Sequence, residues 1–414
     1  VRLRILTHYY PPEVGAPQTR LAALAGGLAR SGAEVTVHTG FPHYPDGEIK
    51  PPYRNRPLLV ERADGVRVVR SWVHPAPNRG FARRLANHAS LAASALATAP
   101  AGGPADVLLV ETPPLLLAGA AVAYARAKRA RLVLNVADLW PDSAVEMGTL
   151  SSPRAIVAAQ RLERAAYREA AAIACPTEGI YETLRGRAES AGKAALMRPA
   201  VDLERFESAA ADFVRAIGRT KSTAGNGRSG APLRVLYAGT VGLAHGLGTL
   251  LDAAEELRRG DGPGPEVTIA GDGAEALALR ARLAAGSSPG VRMLGAVPAE
   301  CIPSLYAESD VAVVMLRDLP IFEGALPTKL LEAMAAGRPV VLAARGEAAR
   351  LVEAESCGIV VPPEDPRALA GALAALATDP ARRAVLGAAG RKAAERDFGR
   401  EAWLQRWHDL LAAA

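Results

Sequence analysis

Aromatic residues make up only 5% of this 414-residue chain, and cysteine occurs three times. Cys175, Cys301 and Cys357 are odd in number, far apart and without the paired spacing of a zinc site. They fit free thiols in a reducing compartment, with Cys175 and Cys301 in or beside apolar runs. No Gly-x-Gly-x-x-Gly follows the first strand-like stretch, which argues against an ordinary dinucleotide enzyme. The longest apolar run, Pro113 to Ala125, is too short to span a bilayer. The opening Val1-Arg-Leu-Arg-Ile-Leu-Thr-His8 reads as a strand rather than a secretory signal. The expectation is a soluble, cytoplasmic protein without a metal site.

The length allows two core-bearing domains, and half of the residues are hydrophobic. Net charge is +6, and the isoelectric point is about 9.4. Between Glu48 and Arg84 nine basic residues (Lys50, Arg54, Arg56, Arg62, Arg67, Arg70, Arg79, Arg83, Arg84) face three acidic ones (Glu48, Glu61, Asp64). Such an excess attracts anionic lipid at the inner face of a plasma membrane, or a phosphate-bearing acceptor. A solvated basic face also explains it. Aromatics do not interleave with these charges as single-strand stacking requires, so nucleic acid is not expected.

Short apolar runs alternate with helical patterns along the first half. Strands are expected at 3–8, 34–39, 66–70, 106–110, 131–136 and 171–175, and helices at 80–99, 115–129, 152–170 and 178–186. This alternation implies a parallel sheet covered by helices on both faces. Residues 221–230, Lys-Ser-Thr-Ala-Gly-Asn-Gly-Arg-Ser-Gly, have linker composition. A second strand series then begins with Leu233-Arg-Val-Leu-Tyr-Ala-Gly239-Thr240-Val-Gly242-Leu-Ala-His245-Gly246, a strand running into a glycine-rich turn. Such a turn presents backbone N–H groups to phosphate, and it also serves as an ordinary structural turn. Residues 365–396 read as helical, and Trp403, Trp407 and Leu410 give the last helix an apolar stripe.

The most informative stretch is Glu323-Gly-Ala-Leu-Pro327-Thr328-Lys329-Leu-Leu-Glu332-Ala-Met-Ala-Ala-Gly337-Arg-Pro339-Val-Val-Leu342. It reads as loop, helix, turn and buried strand. Pro327 suits the first helical position, and Gly337 with Pro339 ends the helix. Thr328, Lys329 and Glu332 share one face near its N-terminus, where free N–H groups and the helix dipole favour a phosphate. Glu332 lies about 6 Å further along the axis, at about 1.5 Å per residue, roughly the step from a diphosphate to its ribose. A solvated helix with a surface Lys329–Glu332 pair fits the same residues.

The string Pro327-Thr-Lys-Leu-Leu-Glu-Ala-Met-Ala-Ala-Gly-Arg-Pro-Val-Val341 resembles the donor-site motif of GT-B glycosyltransferases of family 4, the retaining group. Many members carry two glutamates eight apart, and the second contacts the donor ribose. Glu332 matches that second glutamate. Gly324 occupies the position of the first, with Glu323 one residue out of register. The Pro-Thr-Lys form resembles the bacterial fucosamine-transferase branch, as does Asp138-Leu-Trp-Pro141. Further matches are Val201-Asp202-Leu-Glu-Arg-Phe206, Gly271-Asp272-Gly273 and Val291-Arg292-Met-Leu294-Gly295.

The resemblance implies two Rossmann-like α/β domains with parallel sheets facing a cleft: an acceptor-side domain over 1–206, a flexible linker over 207–231, a donor domain over 232–396, and a terminal helix over 397–414 docking on the first. It implies retaining, metal-independent transfer of a hexosyl group, an N-acetylaminosugar among the candidates, from a nucleoside diphosphate sugar, UDP-linked by expectation, to a hydroxyl acceptor such as a lipid-linked one. The setting would be polysaccharide, glycoconjugate or natural-product biosynthesis. Implied catalytic residues are Asp138, Lys329 and Glu332. Implied donor contacts are Gly15, Gly239, Thr240, Gly242, His245, Gly271, Arg292, Leu294, Glu323 and Thr328, together with Lys329 and Glu332. Many relatives place an arginine and a lysine in the turn after Gly239, and this chain has neither there, so the diphosphate falls to backbone N–H groups and Lys329. A nucleotide-sugar 2-epimerase and a binding-only member of the same fold remain alternatives.

Overall fold

Apolar runs that end at glycine, proline or polar turns become parallel strands in both halves of the chain. This computed structural model describes residues 1–13, 15–44, 47–76, 81–146, 148–219, 231–260, 263–286, 288 and 290–414. Two compact units emerge: Val1–Pro199 with Trp403–Ala414, and Ala200–Ala402.

The first unit runs β1 (Arg2–Leu6), α1 (Ala16–Arg30), β2 (Glu34–Gly40), β3 (Leu58–Ala63), β4 (Val66–Ser71), α2 (Phe81–Ala97), β5 (Val107–Thr112), α3 (Leu115–Lys128), β6 (Arg131–Val136), α4 (Asp142–Glu146), α5 (Pro153–Glu169), β7 (Ala172–Cys175), α6 (Glu178–Arg185) and β8 (Ala194–Leu196). Its sheet has the order β3-β4-β2-β1-β5-β6-β7-β8. Buried Ile5, Val37, Leu109 and Val133 on one face and Leu108, Val110, Leu132 and Leu134 on the other show why these runs are continuous rather than alternating: helices cover both faces. One edge departs from the expected all-parallel sheet. β3 pairs antiparallel with β4 through Asp64-Gly65, both at positive φ. An Asp-Gly turn of that kind matches the twist of a hairpin. β3 escapes a hydrophobic reading because Glu61, half-buried against Arg70, and exposed Arg62 interrupt its apolar run.

The second unit runs α7 (Leu203–Arg219), β9 (Arg234–Ala238), α8 (Gly248–Arg258), β10 (Glu266–Ala270), α9 (Ala276–Ala284), β11 (Val291–Gly295), α10 (Ile302–Glu308), β12 (Val311–Met315), α11 (Thr328–Ala335), β13 (Val340–Ala343), α12 (Glu347–Ala354), β14 (Gly358–Val361), α13 (Pro366–Thr378) and α14 (Pro380–Asp397); α15 (Arg400–Ala413) follows. Its sheet is wholly parallel, in the order β11-β10-β9-β12-β13-β14. Successive residues feed opposite cores. Leu236, Ala238, Val340 and Leu342 pack with α11 on one face, whereas Val235, Tyr237, Val341 and Ala343 pack with α8 and α13 on the other.

Two boundaries differ from expectation. Residues 207–219, expected as linker, continue the helix that starts at Leu203, because the stretch is alanine-rich and the helix is anchored in the core by Phe206 just before it. The rest of the expected linker, 220–230, lies outside the described residues. The second compact unit therefore begins at Ala200 rather than 232. In the first unit, Trp403 and Trp407 of the last helix are buried edge to face, with centroids 6.3 Å apart. A Cβ on Gly27 would lie 2.5 Å from Leu404, so the missing side chain lets α1 and α15 approach closely.

Candidate functional site

α11 carries the candidate donor residues. Pro327 caps the helix in extended backbone rather than opening it, and Thr328 is the first helical residue. Gly337 follows the helix end in the left-handed region, where its N–H bonds Met334 O. Leu330, Leu331, Ala333 and Met334 pin the helix to the sheet. Lys329 goes inward with them, at 8% exposure, so the surface Lys329–Glu332 pair does not exist.

Lys329 is held at both ends. Its Nζ donates to Tyr237 Oη at 2.6 Å, and it lies 4.3 Å from the tyrosine ring centroid. Tyr237 Oη in turn donates to the Thr240 carbonyl at 2.6 Å. At the backbone, buried Tyr306 donates its hydroxyl to the Lys329 carbonyl at 3.1 Å. A Cβ on Gly239 would sit 3.0 Å from Lys329 Cε and 3.2 Å from Nζ. The amine therefore occupies the space a side chain at 239 would need, directly against the glycine-rich turn.

That turn is built from three strand ends. Gly239 N–H bonds Ala270 O, Gly271 N–H bonds Gly295 O, and Val241 N–H bonds Asp272 O. A Cβ on Gly271 would come within 1.8 Å of Gly239 O, so no other residue fits. His245 closes the turn by its N–H to Gly242 O, and its ring meets Tyr237 at 6.1 Å. Its Nδ1 has no hydrogen-bond partner. Arg317, just past β12, donates its N–H to Ala244 O, while its guanidinium pairs with Glu364 at 3.0 Å.

The electrostatics follow from enclosure. Burial pushes the Lys329 amine down to about 7, against the charge of Glu332. Burial pushes Glu332 up to about 7, with Arg205 and Lys329 pulling it back. His245 falls to about 4 through burial and the nearby Lys329 charge, so its imidazole is neutral. One helical turn thus carries a base and an acid that both titrate near neutrality, beside the glycine-rich turn.

The structure brings Gly239, Thr240, Gly242, His245, Gly271, Lys329 and Glu332 together. Thr328 is exposed at the start of α11. Arg292 instead lies along the sheet edge, donating to Thr268 Oγ1 at 2.9 Å, and Leu294 is 42% exposed beside it. Glu323 is exposed, and its carbonyl accepts the Glu347 N–H, pressed against Gly346. Gly15 and Asp138 belong to the first unit. Gly15 is fully extended and precedes α1, where a Cβ would strike the Gln18 amide. Asp138, half-buried, accepts from Ser143 Oγ at 2.8 Å, and burial raises its pKa. Asp142 opens α4 and pairs with Arg187 at 2.6 Å.

Several functional candidates escape a sequence reading. Tyr237 and Tyr306 look like core residues, and only the contact across strands shows their role. In the first unit, Glu111 bonds both Arg20 and Asn135 at the strand ends. Glu13, buried, accepts the N–H groups of His43 and Tyr44 and fixes the loops after β1 and β2. The nine-residue basic count also overstates the surface: Arg70 is buried and paired with Glu61, whereas Arg54, Arg56 and Arg83 are exposed. Arg54, Arg56, Tyr53 and Trp72 line an open pocket of about 640 Å³.

Comparison with known proteins agrees with this architecture. Residues 15–200 match the model of the glycosyl transferase 4-like domain, and residues 232–379 match that of glycosyl transferases group 1. The structure resembles sucrose-phosphate synthase from Thermosynechococcus elongatus, at TM-score 0.73 and 20% identity over all of both chains. It also resembles Anabaena HepE in complex with UDP and glucose, at TM-score 0.70 and 18% identity over 99% of each chain. The fold is that of the GT-B glycosyltransferases. With both units matched, the chain belongs to the family-4 group of that class. In sequence it is 31% identical over 209 residues to D-inositol 3-phosphate glycosyltransferase of Salinispora arenicola, covering 48% of this chain and 44% of that one. The matches span about half the length of the curated relatives.

The Lys329–Glu332 pair gives stability a distinctive pH course. The folded lysine holds its proton less tightly than the unfolded one, so its term makes stability rise with pH from about 7 to the ordinary lysine range. The folded glutamate holds its proton more tightly, so its term makes stability fall from the ordinary glutamate range to about 7. Thermal unfolding of Lys329→Met should lose the alkaline rise, and Glu332→Gln the acid-side fall. Unfolding curves whose pH dependence both variants leave unchanged would contradict these assignments.

Proposed function

We propose that the chain transfers a glycosyl group from a nucleoside diphosphate sugar to a hydroxyl acceptor. The observation that carries this reading is the Lys329 amine buried against the Gly239–Gly242 turn. A diphosphate leaving group gains negative charge as the glycosidic bond breaks. Turn N–H groups, the α11 N-terminus and Lys329 meet that charge with donors already in place. Glu332 sits one turn along as an acceptor for ribose hydroxyls. No step in this scheme calls on a metal. Retention follows the family pattern of attack on the face the leaving group vacates, and Asp138 orients reacting hydroxyls. HepE's complexes with UDP and UDP-glucose support a uridine donor. The sugar is read as a hexosyl group, with an N-acetylaminosugar the first to try.

The acceptor side of the proposal is a membrane-associated, lipid-linked hydroxyl. Among the described residues no helix is long and apolar enough to cross a membrane. The outward face of α2 is nonetheless apolar, with Leu85, Ala89, Ala93 and Leu96 exposed at helical spacing after Arg83. Arg54, Arg56 and an exposed Trp72 lie in the same unit. Basic residues beside exposed apolar groups suit an anionic bilayer surface.

Thermal shift against UDP, GDP, ADP and TDP should single out one diphosphate, because a ligand of the native state raises its stability. Glu332→Ala should then weaken that diphosphate about tenfold, as loss of a charged hydrogen bond does; unchanged affinity would remove Glu332 from the site. Radiolabelled sugar transfer from the matching donor, dependent on added acceptor, separates a transferase from an epimerase or a binding protein. For the membrane, Arg54→Glu with Arg83→Glu should cut sedimentation with phosphatidylglycerol vesicles at least about tenfold, since each basic residue contributes about 1 kcal/mol. Equal sedimentation would refute that contact.

A further inference from the structure

In the sequence Tyr237 is one residue of the strand that runs into the glycine-rich turn and carries no assigned role, yet it joins the two parts of the candidate donor site. It is the fourth residue of β9, buried, and two residues ahead of Gly239. A phenol has one proton to give, and Tyr237 gives it to the Thr240 carbonyl at 2.6 Å. Its oxygen lone pairs are left to accept, and Lys329 Nζ donates to them at 2.6 Å. The direction of both bonds is therefore fixed. The chain Lys329 Nζ to Tyr237 Oη to Thr240 O ties the amine of α11 to the backbone of the turn.

We propose that Tyr237 is a positioning residue for the donor diphosphate: it holds the Lys329 ammonium at the Gly239–Gly242 turn, so that a lysine from α11 supplies the cation the turn itself lacks. The turn's one ionisable side chain, His245, is half-buried with an unpartnered Nδ1, and the neighbouring Arg317 is committed to Glu364. Arg280 pairs with Asp272 at 3.7 Å, so among the described residues Lys329 is left as the cation aimed at the turn, and its long stem would sample many rotamers without a tether. The tyrosine also stabilises the charged form, since its lone pairs face the ammonium while its own proton points away. Tyr306 does a different job. It grips the Lys329 carbonyl and so fixes the helix rather than the amine.

This inference rests on the donor-site reading, and the test separates the two. The chain has six lysines, few enough to follow Lys329 by nitrogen-15 NMR of labelled lysine, with Lys329→Met assigning the signal. Tyr237→Phe should lower the Lys329 titration midpoint by about one pH unit and weaken UDP about tenfold, while leaving uridine affinity unchanged. Tyr306→Phe should lower thermal stability without moving the midpoint or the ratio of UDP to uridine affinity. A Lys329 midpoint that is the same in wild type and Tyr237→Phe overturns the positioning role. If the wild type binds none of UDP, GDP, ADP and TDP while the midpoint still moves, the donor-site reading fails and the tether between Tyr237 and Lys329 stands.

Discussion

The arrangement of the second unit turns on a lysine amine taken out of water and given a phenol, not a carboxylate, as its partner. Glu332 acts on it only at a distance, and enclosing an ammonium without a paired anion is costly, so proteins ordinarily avoid it or let the group lose its proton. Here the amine has moved to the edge of protonation, at about 7. Such a site is poorly matched to itself and well matched to an incoming anion. A diphosphate would supply the missing charge, and its own desolvation would be offset by donors that need no rearrangement.

Everything near Lys329 serves that placement. The parallel sheet brings the ends of β9, β10 and β11 to one level, where the carbonyl of Gly239 nearly touches Gly271. That close approach leaves no room for side chains, so the turn offers backbone. Met334 and Leu330 anchor α11 in the core, and Tyr306 fixes its carbonyl. The end of the unit that carries the candidate site is held by the same strands that form the hydrophobic core.

Much of this was legible in the residues. Val340-Val-Leu342 announces a strand buried on both faces, and Gly337 with Pro339 marks the helix end. Lys329 and Glu332 stand out because, after Thr328 at its start, they are the polar residues of an otherwise apolar helix. What remained hidden needed three dimensions. Tyr237 reads as an ordinary core aromatic until the strand places it under Lys329. β3 is broken by adjacent charges, Glu61 and Arg62, and so resembles loop. Residues 207–219 pass for linker because alanine is common to helices and to low-complexity segments alike. The basic cluster before Arg84 merges exposed Arg54 and Arg56 with Arg70, whose guanidinium is buried against Glu61. Spacing in sequence does not distinguish those fates.

The central claim is that the diphosphate supplies the anion Lys329 lacks, and calorimetry tests it most directly. UDP, or the diphosphate that binds in its place, would be titrated into the protein at pH 8 in buffers of different ionisation enthalpy. At that pH the empty site holds Lys329 mostly unprotonated, given its value of about 7. Binding should therefore take up close to one proton per diphosphate, and Lys329→Met should abolish the uptake. Tight binding with no proton uptake, or with the same uptake in Lys329→Met, would contradict the account.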